Sequence, residues 1–239
     1  MIKEMMIDAL FPLRCALCDE VMEAGQRGVC RQCRSRLEYL SEPRCMKCGK
    51  ELISEEEELC LDCEAKSRSY DAGFPLFNYI PPVSDSIVRL KYHGREEYAD
   101  FYGREIAKRY GPVFKSLGIE CIVPVPLYKA RLKKRGYNQA ALLGSAIASA
   151  TGIRLDDSLL VRTKNTAPQK ELDDGEREKN LLSAFAVKDS GTRTIPSAVL
   201  LVDDIYTTGA TIEGCTTVLK RAGVRKVFYT SIAIGRCEV

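Results

Sequence analysis

The sequence lacks several features that would place it directly in a known functional class. It has no run of about 18 or more apolar residues, which argues against a membrane-spanning helix. It has neither a Walker A G-K-[ST] loop nor a G-x-G-x-x-G turn after a strand, so two common nucleotide-binding loops are excluded. His93 is the only histidine, and no general base is evident. We expect His93 to pack or to lie at the surface rather than to act in catalysis.

The start of the chain also lacks the apolar segment of a secretory signal. Residues 2–12 contain acidic side chains and no long apolar stretch. A disulfide framework needs an oxidising compartment, so we do not expect one here. The cysteines therefore need another explanation.

Cysteine is abundant, with 11 residues, of which eight form four C-x-x-C pairs. Eleven residues separate each pair from the next, so one two-pair unit repeats thirty residues later. Four thiolates satisfy one tetrahedral structural Zn²⁺, and the pattern predicts two such sites. Sequential grouping of the pairs is the simplest arrangement, and a cross-braced one remains open. The predicted ligands are Cys15, Cys18, Cys30, Cys33, Cys45, Cys48, Cys60 and Cys63.

Composition divides the chain into two predicted domains. Residues 1–68 hold too few large apolar side chains for a core, which predicts a double zinc-ribbon module folded by its metal. In residues 69–239 strands and helices alternate, which predicts an α/β domain with a parallel sheet flanked by helices. Two filled zinc sites lower the formal net charge from +3 to about −1. Any attraction to nucleic acid must then come from local patches.

The most specific functional pattern is V-L-L-V-D-D-I-Y-T-T-G-A-T, from Val199 to Thr211. It predicts a buried strand that ends at Asp203 and Asp204, and a turn that leads into a helix through about Ala222. Free N–H groups at the helix start favour a phosphate, and the acids can accept hydrogen bonds from sugar hydroxyls. The pattern predicts a 5-phosphoribosyl site, unless the acids only cap the helix. The turn residues are Thr207, Thr208, Gly209, Ala210 and Thr211.

A cationic segment follows the strand predicted over residues 119–125. We interpret it as a second loop, whose charge suits a pyrophosphate or a nucleic-acid backbone. A solvated surface run is the alternative. Its cations are Lys129, Arg131, Lys133, Lys134 and Arg135.

Other segments carry simpler predictions. Residues 163–180 are polar without an apolar period, which predicts a long mobile loop. Residues 64–69 are predicted to be a polar linker. Cys121 and Cys215 are expected to be small buried hydrophobes on a strand and on a helix.

The acidic pattern resembles the motif of type I phosphoribosyltransferases that binds 5-phosphoribosyl 1-pyrophosphate (PRPP). The resemblance implies that Asp203 and Asp204 are the catalytic pair and contact the ribose 2′ and 3′ hydroxyls. It also implies that residues 207–211 wrap the 5′-phosphate. Tyr206 departs from the motif, which more often has a smaller residue there, and is expected to alter the wall beside the ribose.

Over nearly its whole length the chain resembles the ComF family of competence-associated proteins, which join a zinc ribbon to a phosphoribosyltransferase-like domain. The resemblance rests on the cysteine repeat, L-K-Y-H-G-R at residues 90–95, V-P-V-P-L with R-G-Y-N-Q, the PRPP-type turn, and a pattern over residues 162–181. It implies a bacterial cytoplasmic protein that acts in the uptake or processing of transforming DNA. It further implies Mg²⁺ bound with PRPP, and a pyrophosphate on the cationic segment. Residues 163–180 would form a flap, and the matched residues are Arg162, Thr166, Gln169, Arg177 and Asn180.

Two functions remain open on the sequence. One is Mg²⁺-dependent phosphoribosyl transfer to an unknown acceptor. The other is a non-catalytic adaptor that binds single-stranded DNA or competence proteins, keeps the fold and senses PRPP. Neither implies insertion into a membrane.

Overall fold

A five-stranded sheet, with all its strands parallel, organises the part of the chain after the cysteine repeat. The computed structural model describes residues 12–23, 25–164, 184–188 and 194–236. Its strands are β1 (Ala72–Asn78), β2 (Cys121–Pro124), β3 (Arg154–Leu155), β4 (Leu160–Arg162), β5 (Phe185–Val187), β6 (Ala198–Tyr206) and β7 (Lys226–Ile234). Its helices are α1 (Arg31–Arg34), α2 (Leu61–Ala65), α3 (Val83–Tyr92), α4 (Tyr98–Ser116), α5 (Lys129–Arg135), α6 (Gln139–Thr151) and α7 (Ala210–Arg221).

The strand order is β1-β7-β6-β2-β3, and β4 and β5 form a separate antiparallel pair. Strand β2 and the first five residues of β6 are apolar and buried, as expected for a parallel sheet with helices on both faces. In a parallel sheet the carboxyl ends of all strands lie at the same edge, and ligands bind beyond these ends. The turn after β6 and the segment after β2 therefore lie at the edge where a ligand is expected.

Each face of the sheet has its own core, and each core includes one zinc unit. The first cysteine group packs with residues of α3, α4 and α6. The second packs with residues of α7 and with Tyr70 and Tyr229 on the opposite face. The cysteine module thus contributes to the cores of the sheet, although its own apolar content is small.

The predicted fold class is confirmed: a parallel sheet flanked by helices follows a double zinc-ribbon module. The strand predicted before the acid pair is present and is longer than expected, since β6 continues past both acids to Tyr206. Helix α6 ends at Gly152, which has a φ of 76°. Cys121 and Cys215 are buried as predicted, and His93 is exposed at the end of α3. None of the helices in the described ranges combines the length and apolar composition of a membrane crossing.

Candidate functional site

The eight paired cysteines lie in two groups of four, and within each group all four sulfur atoms lie within 4.8 Å of one another. The Sγ atoms of Cys48 and Cys60, for example, are 3.6 Å apart. Tetrahedral Zn²⁺ with Zn–S bonds of about 2.3 Å needs sulfurs about 3.8 Å apart, so both groups fit structural zinc. The grouping is sequential rather than cross-braced: Cys15, Cys18, Cys30 and Cys33 form one site, and Cys45, Cys48, Cys60 and Cys63 form the other.

Backbone N–H groups point at sulfur in both cysteine groups. The N–H of Cys30 donates to Cys15 Sγ at 3.3 Å, and the N–H of Cys48 donates to Cys45 Sγ at 3.5 Å. Each group also has a short antiparallel bridge near its first C-x-x-C turn, and α1 and α2 each begin just after a cysteine. Hydrogen bonds to sulfur favour the thiolate that the metal requires. The sequence repeat is therefore also a repeat of local structure.

The two acids of the predicted phosphoribosyl site lie near the carboxyl end of β6, which continues to Tyr206. Because side chains alternate along a strand, neighbouring carboxylates point to opposite faces of the sheet. Asp204 contacts α3, whereas the charge of Asp203 acts on Arg162 of β4 and on Cys215 of α7. Elements on both faces thus determine the electrostatics of the pair.

Asp204 is buried and forms an ion pair with Lys91 of α3. Lys91 Nζ lies 2.8 Å from Asp204 Oδ1, and the exposed side-chain fractions are 18% and 6%. The second oxygen, Oδ2, is buried and has no hydrogen-bond partner among the described residues. Leaving a buried carboxylate oxygen unpaired is costly, so a cation or a hydroxyl from a ligand is favoured there. Sequence reasoning missed Lys91, although it lies in the L-K-Y-H-G-R segment.

Asp203 has an unusual protonation equilibrium. Burial, reinforced by the negative charge of Asp204, raises the pKa of the Asp203 carboxyl from 3.8 to about 7. Lys91, Arg162 and the N–H of Asp204, which donates to Asp203 Oδ1 at 2.8 Å, lower this pKa and so limit the rise. A carboxyl group with such a pKa can gain or lose a proton, or bind a cation, near neutral pH.

The turn after β6 leads directly into the N-terminus of α7. Gly209 has a φ of 77° and immediately precedes the helix, and no side-chain hydrogen bond caps the helix start. Thr207 and Thr208 are exposed. Their hydroxyls and the first N–H groups of α7 can therefore contact an anion beside the acid pair.

The ring of Tyr206 packs against this turn at Gly209. A Cβ atom on Gly209 would lie 2.2 Å from Tyr206 Oη, so only glycine fits there. Tyr206 is buried and stacks on Tyr229 with ring centroids 4.7 Å apart, and its hydroxyl lies 2.8 Å from that of Tyr70. The aromatic residue that departs from the motif therefore points towards the second zinc unit.

Residues 68–70, which we call the strap, hold the turn and α7. The Arg68 guanidinium donates to the carbonyl of Thr208 at 2.8 Å. The backbone N–H of Ser69 donates to the Glu213 carboxylate at 2.9 Å. Tyr70, the third strap residue, forms a hydrogen bond with the hydroxyl of Tyr206. The predicted linker was therefore wrong: α2 includes its first residues, and its last ones belong to the strap. No motif marks these contacts in the sequence.

The cationic segment is not a loop but the helix α5, so that prediction was wrong. An extended Tyr128 precedes the helix, and Gly136, with a φ of 89°, ends it. Four of its five cationic side chains are exposed, whereas Arg135 is half-buried and lies over the ring of Tyr92 with its guanidinium carbon 5.2 Å from the centroid. Four residues separate the end of β2 from the start of this helix, which lies at the same edge of the sheet as the acid pair.

Only one residue of the predicted flap motif is described. Arg162 lies in β4, over the ring of Phe185, and its charge acts on Asp203. Burial and the neighbouring charge of Arg131 lower the pKa of the Arg162 guanidinium. Arg162 therefore interacts electrostatically with both Arg131 of α5 and Asp203 of the acid pair. Thr166, Gln169, Arg177 and Asn180 lie outside the described residues.

Comparison with known proteins extends these observations to the whole chain. The model of the double zinc ribbon domain family matches residues 6–64. Competence protein F of Haemophilus influenzae is 31% identical over 226 residues, which cover 93% of this chain and 97% of the relative. The chain belongs to the ComF family. Within this family, Competence protein ComFC of Streptococcus pneumoniae is 29% identical, over 90% of this chain and 97% of the relative.

A third relative is the DNA utilization protein YhgH of Escherichia coli (strain K12). It is 30% identical over 90% of this chain and 94% of its own length. The crystal structure of TT1426 from Thermus thermophilus shares 14% identity and a TM-score of 0.34, over 59% of this chain and 85% of that one. That structural likeness is too weak to carry an argument. The ComF matches cover both the cysteine repeat and the sheet, so the resemblance inferred from the motifs is confirmed.

Proposed function

We propose that this chain acts in bacterial competence or DNA utilisation and that it binds PRPP with Mg²⁺ at the carboxyl edge of its sheet. The names of the relatives support the first part, and the site geometry supports the second. In this assignment the ribose hydroxyls bind Asp203 and Asp204, and the 5′-phosphate lies in the turn of residues 207–211. The cations of α5 bind the pyrophosphate, and the flap is assigned to residues 163–180, of which residues 165–180 lie outside the described ranges. We also propose that the protein acts in the cytoplasm.

The observation that carries the proposal is the buried, unpaired Oδ2 of Asp204 beside a helix N-terminus without a side-chain cap. A sugar hydroxyl can donate to that oxygen while the phosphate accepts from the N–H groups of α7. A capping role for the acids would instead require an N–H group of the helix start to donate to a carboxylate oxygen, and no such hydrogen bond is present among the described residues.

Magnesium fits the same donor set. Carboxylate oxygens are ligands that Mg²⁺ accepts, usually together with substrate phosphates. When bound with PRPP, Mg²⁺ neutralises charge on the pyrophosphate. Lys91 holds one oxygen of Asp204, and its charge also lowers the pKa of the Asp203 carboxyl, which favours the anionic form of Asp203 that a cation would bind.

Phosphoribosyl transfer is the reaction class that this arrangement supports. The C1–O bond of PRPP breaks and its electron pair leaves on pyrophosphate, while a bond forms from C1 to the acceptor, whose proton passes to solvent. The cations of α5 stabilise the departing pyrophosphate, and a cover over the site excludes water from the oxocarbenium-like state. The acceptor is not specified by any residue of the site.

Calorimetric titration of the zinc-loaded protein with PRPP and Mg²⁺ tests the proposal. We expect saturable binding, lost in Asp203→Asn with Asp204→Asn. The matched control is Glu55→Gln with Glu56→Gln, which removes two exposed acids that are not among the site residues and should bind as the wild type does. Absence of binding by the wild type would refute the PRPP site.

The exposed cations of α5 favour a second candidate function, the binding of single-stranded DNA. Such a helix can contact the phosphate backbone without reading sequence. This function needs neither of the acids. It would make the chain an adaptor of the competence machinery rather than an enzyme.

The salt dependence of binding separates the two candidates. Lys133→Glu with Lys134→Glu changes two exposed cations and leaves Arg135 on its partners. If DNA lies on α5, the slope of log affinity against log salt should become less steep by about 1.4. An unchanged slope would place DNA elsewhere. The Asp203→Asn with Asp204→Asn variant should keep its DNA affinity.

A further inference from the structure

A cleft of about 530 Å³ separates the second zinc unit from the turn after β6. The zinc unit supplies one wall, with Lys50 and helix α2, and the turn supplies another, with Thr207 and Thr208. The strap crosses between them, and the chain beyond β7 closes the far side at Gly235. The acid pair is not among the lining residues, whereas Thr207 and Thr208 also belong to the turn proposed for the 5′-phosphate, so the cleft adjoins the proposed PRPP site.

The cleft is strongly cationic. Lys50, Lys66, Arg68 and Arg236 line it, against a single carboxylate from Asp62. That carboxylate already forms an ion pair with Lys50, with Nζ 2.7 Å from Oδ2. The lining therefore carries a net charge of about +3, and cations gathered around a concave surface attract and concentrate anions.

Arg68 provides a second, independent indication of a ligand. One terminal nitrogen of its guanidinium is used by the carbonyl of Thr208. Its Nε is buried and has no hydrogen-bond partner within the ranges that the structure describes. Native proteins rarely leave such a donor unsatisfied, and an acceptor oxygen from a bound anion would satisfy it.

The shape and lining of the cleft indicate phosphate groups rather than bases. None of its ten lining residues is aromatic, so it offers no surface for base stacking. Its volume exceeds that of a single phosphate and suits a small ligand. Planar guanidinium groups match phosphate oxygens in pairs, and the cleft contains two of them, in Arg68 and Arg236.

We propose that this cleft is an anion site for a ligand with consecutive phosphate groups, held jointly by the second zinc unit, the strap and the turn. Two sources share this chemistry: a free polyphosphate, and the backbone of a short single strand of nucleic acid. The cations of this cleft are not among the residues assigned to PRPP, so the proposal does not depend on PRPP binding, although the two sites share Thr207 and Thr208.

The test compares three double variants of the zinc-loaded protein, by calorimetric titration without Mg²⁺. Lys66→Ala with Arg236→Ala removes two cations of the cleft and leaves the strap intact. Lys133→Ala with Lys134→Ala removes two exposed cations of α5. Lys108→Ala with Lys115→Ala removes two exposed cations of α4 and is the matched control. The probes are inorganic tripolyphosphate and a 5′-phosphorylated thymidine octanucleotide.

We expect at least one probe to lose about tenfold or more in affinity in the cleft variant and to bind the control as it binds the wild type. The probe that responds identifies the source of the phosphates. Equal affinity for the cleft variant and the wild type, a loss confined to the α5 variant, or no binding of either probe would overturn the proposal. Titration of the same variants with PRPP and Mg²⁺ separates this result from the fate of the PRPP site, because the cleft variant should keep PRPP affinity.

Discussion

Lys91 Nζ lies 2.8 Å from Asp204 Oδ1, and this ion pair joins helix α3 to the strand that carries the candidate acid pair. Both side chains are largely buried, so the charge of Lys91 is weakly screened by solvent. It acts on both acids, because it also lowers the pKa of Asp203. Lys91 is therefore a positioning residue that sets the charge of the whole site.

Removing the charge of Lys91 should raise the pKa of Asp203 further. In Lys91→Met we expect the midpoint of the Asp203 titration to rise above about 7 by roughly one unit, because an attractive charge is lost. Lys91→Arg keeps the charge and should change the midpoint much less. Carbon-13 NMR of the aspartate carboxyl carbons measures the titration, and Asp203→Asn assigns the signal. A midpoint that is the same in Lys91→Met and the wild type would contradict the assigned role.

Asp203 should reduce the stability of the folded protein at neutral pH. Its pKa is raised from 3.8 to about 7 on folding, so the folded state binds the proton more tightly than the unfolded state does. Stability due to this group therefore falls as the pH rises between these two values and then levels off. Asp203→Asn removes the effect and should gain up to about 4 kcal/mol in the free energy of unfolding at pH 8, with a smaller gain, below about 2 kcal/mol, at pH 5.

Urea denaturation at both pH values measures this gain. Asp157→Asn, at an exposed carboxyl, is the control and should show no such difference between the two pH values. A gain for Asp203→Asn that is equal at pH 5 and pH 8 would disprove the raised pKa.

Gly209 should be intolerant of any side chain. In Gly209→Ala the new Cβ would lie 2.2 Å from Tyr206 Oη, at a φ of 77° that disfavours alanine. We expect a loss of about 3 kcal/mol in the free energy of unfolding. Gly152→Ala is the matched control, since its φ is 76° and no atom lies within 4 Å of the added Cβ. It should lose only about 1 kcal/mol. Denaturant titration of both variants isolates the clash, and equal losses would mean that Tyr206 does not support the turn.

The two zinc sites should contribute differently to the phosphate turn. Both Cys18→Ser and Cys48→Ser should reduce the zinc content from about two ions per chain to about one, measured by elemental analysis. Among the described residues the second site is linked to the turn through an aromatic stack, because Tyr229 Oη donates to the carbonyl of Cys48 at 2.7 Å and its ring stacks on Tyr206. PRPP binding should therefore weaken more in Cys48→Ser than in Cys18→Ser. The opposite order would show that the aromatic stack does not transmit the change.

Features that depend on neighbouring residues could be predicted from the sequence. The strand, acid pair, turn and α7 follow one another without a break, so a single stretch of thirteen residues contains the whole pattern. The same holds for the cysteine repeat, whose spacing predicted two four-sulfur groups and favoured their sequential order. Local hydrogen bonds and alternation of side chains determine these elements.

Features that depend on distant residues could not be predicted. Tyr70 and Tyr206 are 136 positions apart, and Arg68 and Thr208 are 140 apart, and both pairs meet only because the second zinc unit packs beside the turn. Helix α5 was missed for another reason. It is mostly exposed, so it lacks the apolar period that marks a buried helix, and only Gly136 at its end indicated a helix stop.

The shared cores have a practical consequence for protein production. Residues 1–68 can be separated from residues 69–239 on paper, but a fragment that starts at residue 69 would expose the surfaces on which both cysteine groups pack. It would also lose Arg68, the first residue of the strap, and the partner of Tyr229 Oη. We expect such a fragment to aggregate or to lose the geometry of the turn. Preparations meant to represent this site should therefore keep the full chain and be supplied with zinc throughout expression and purification.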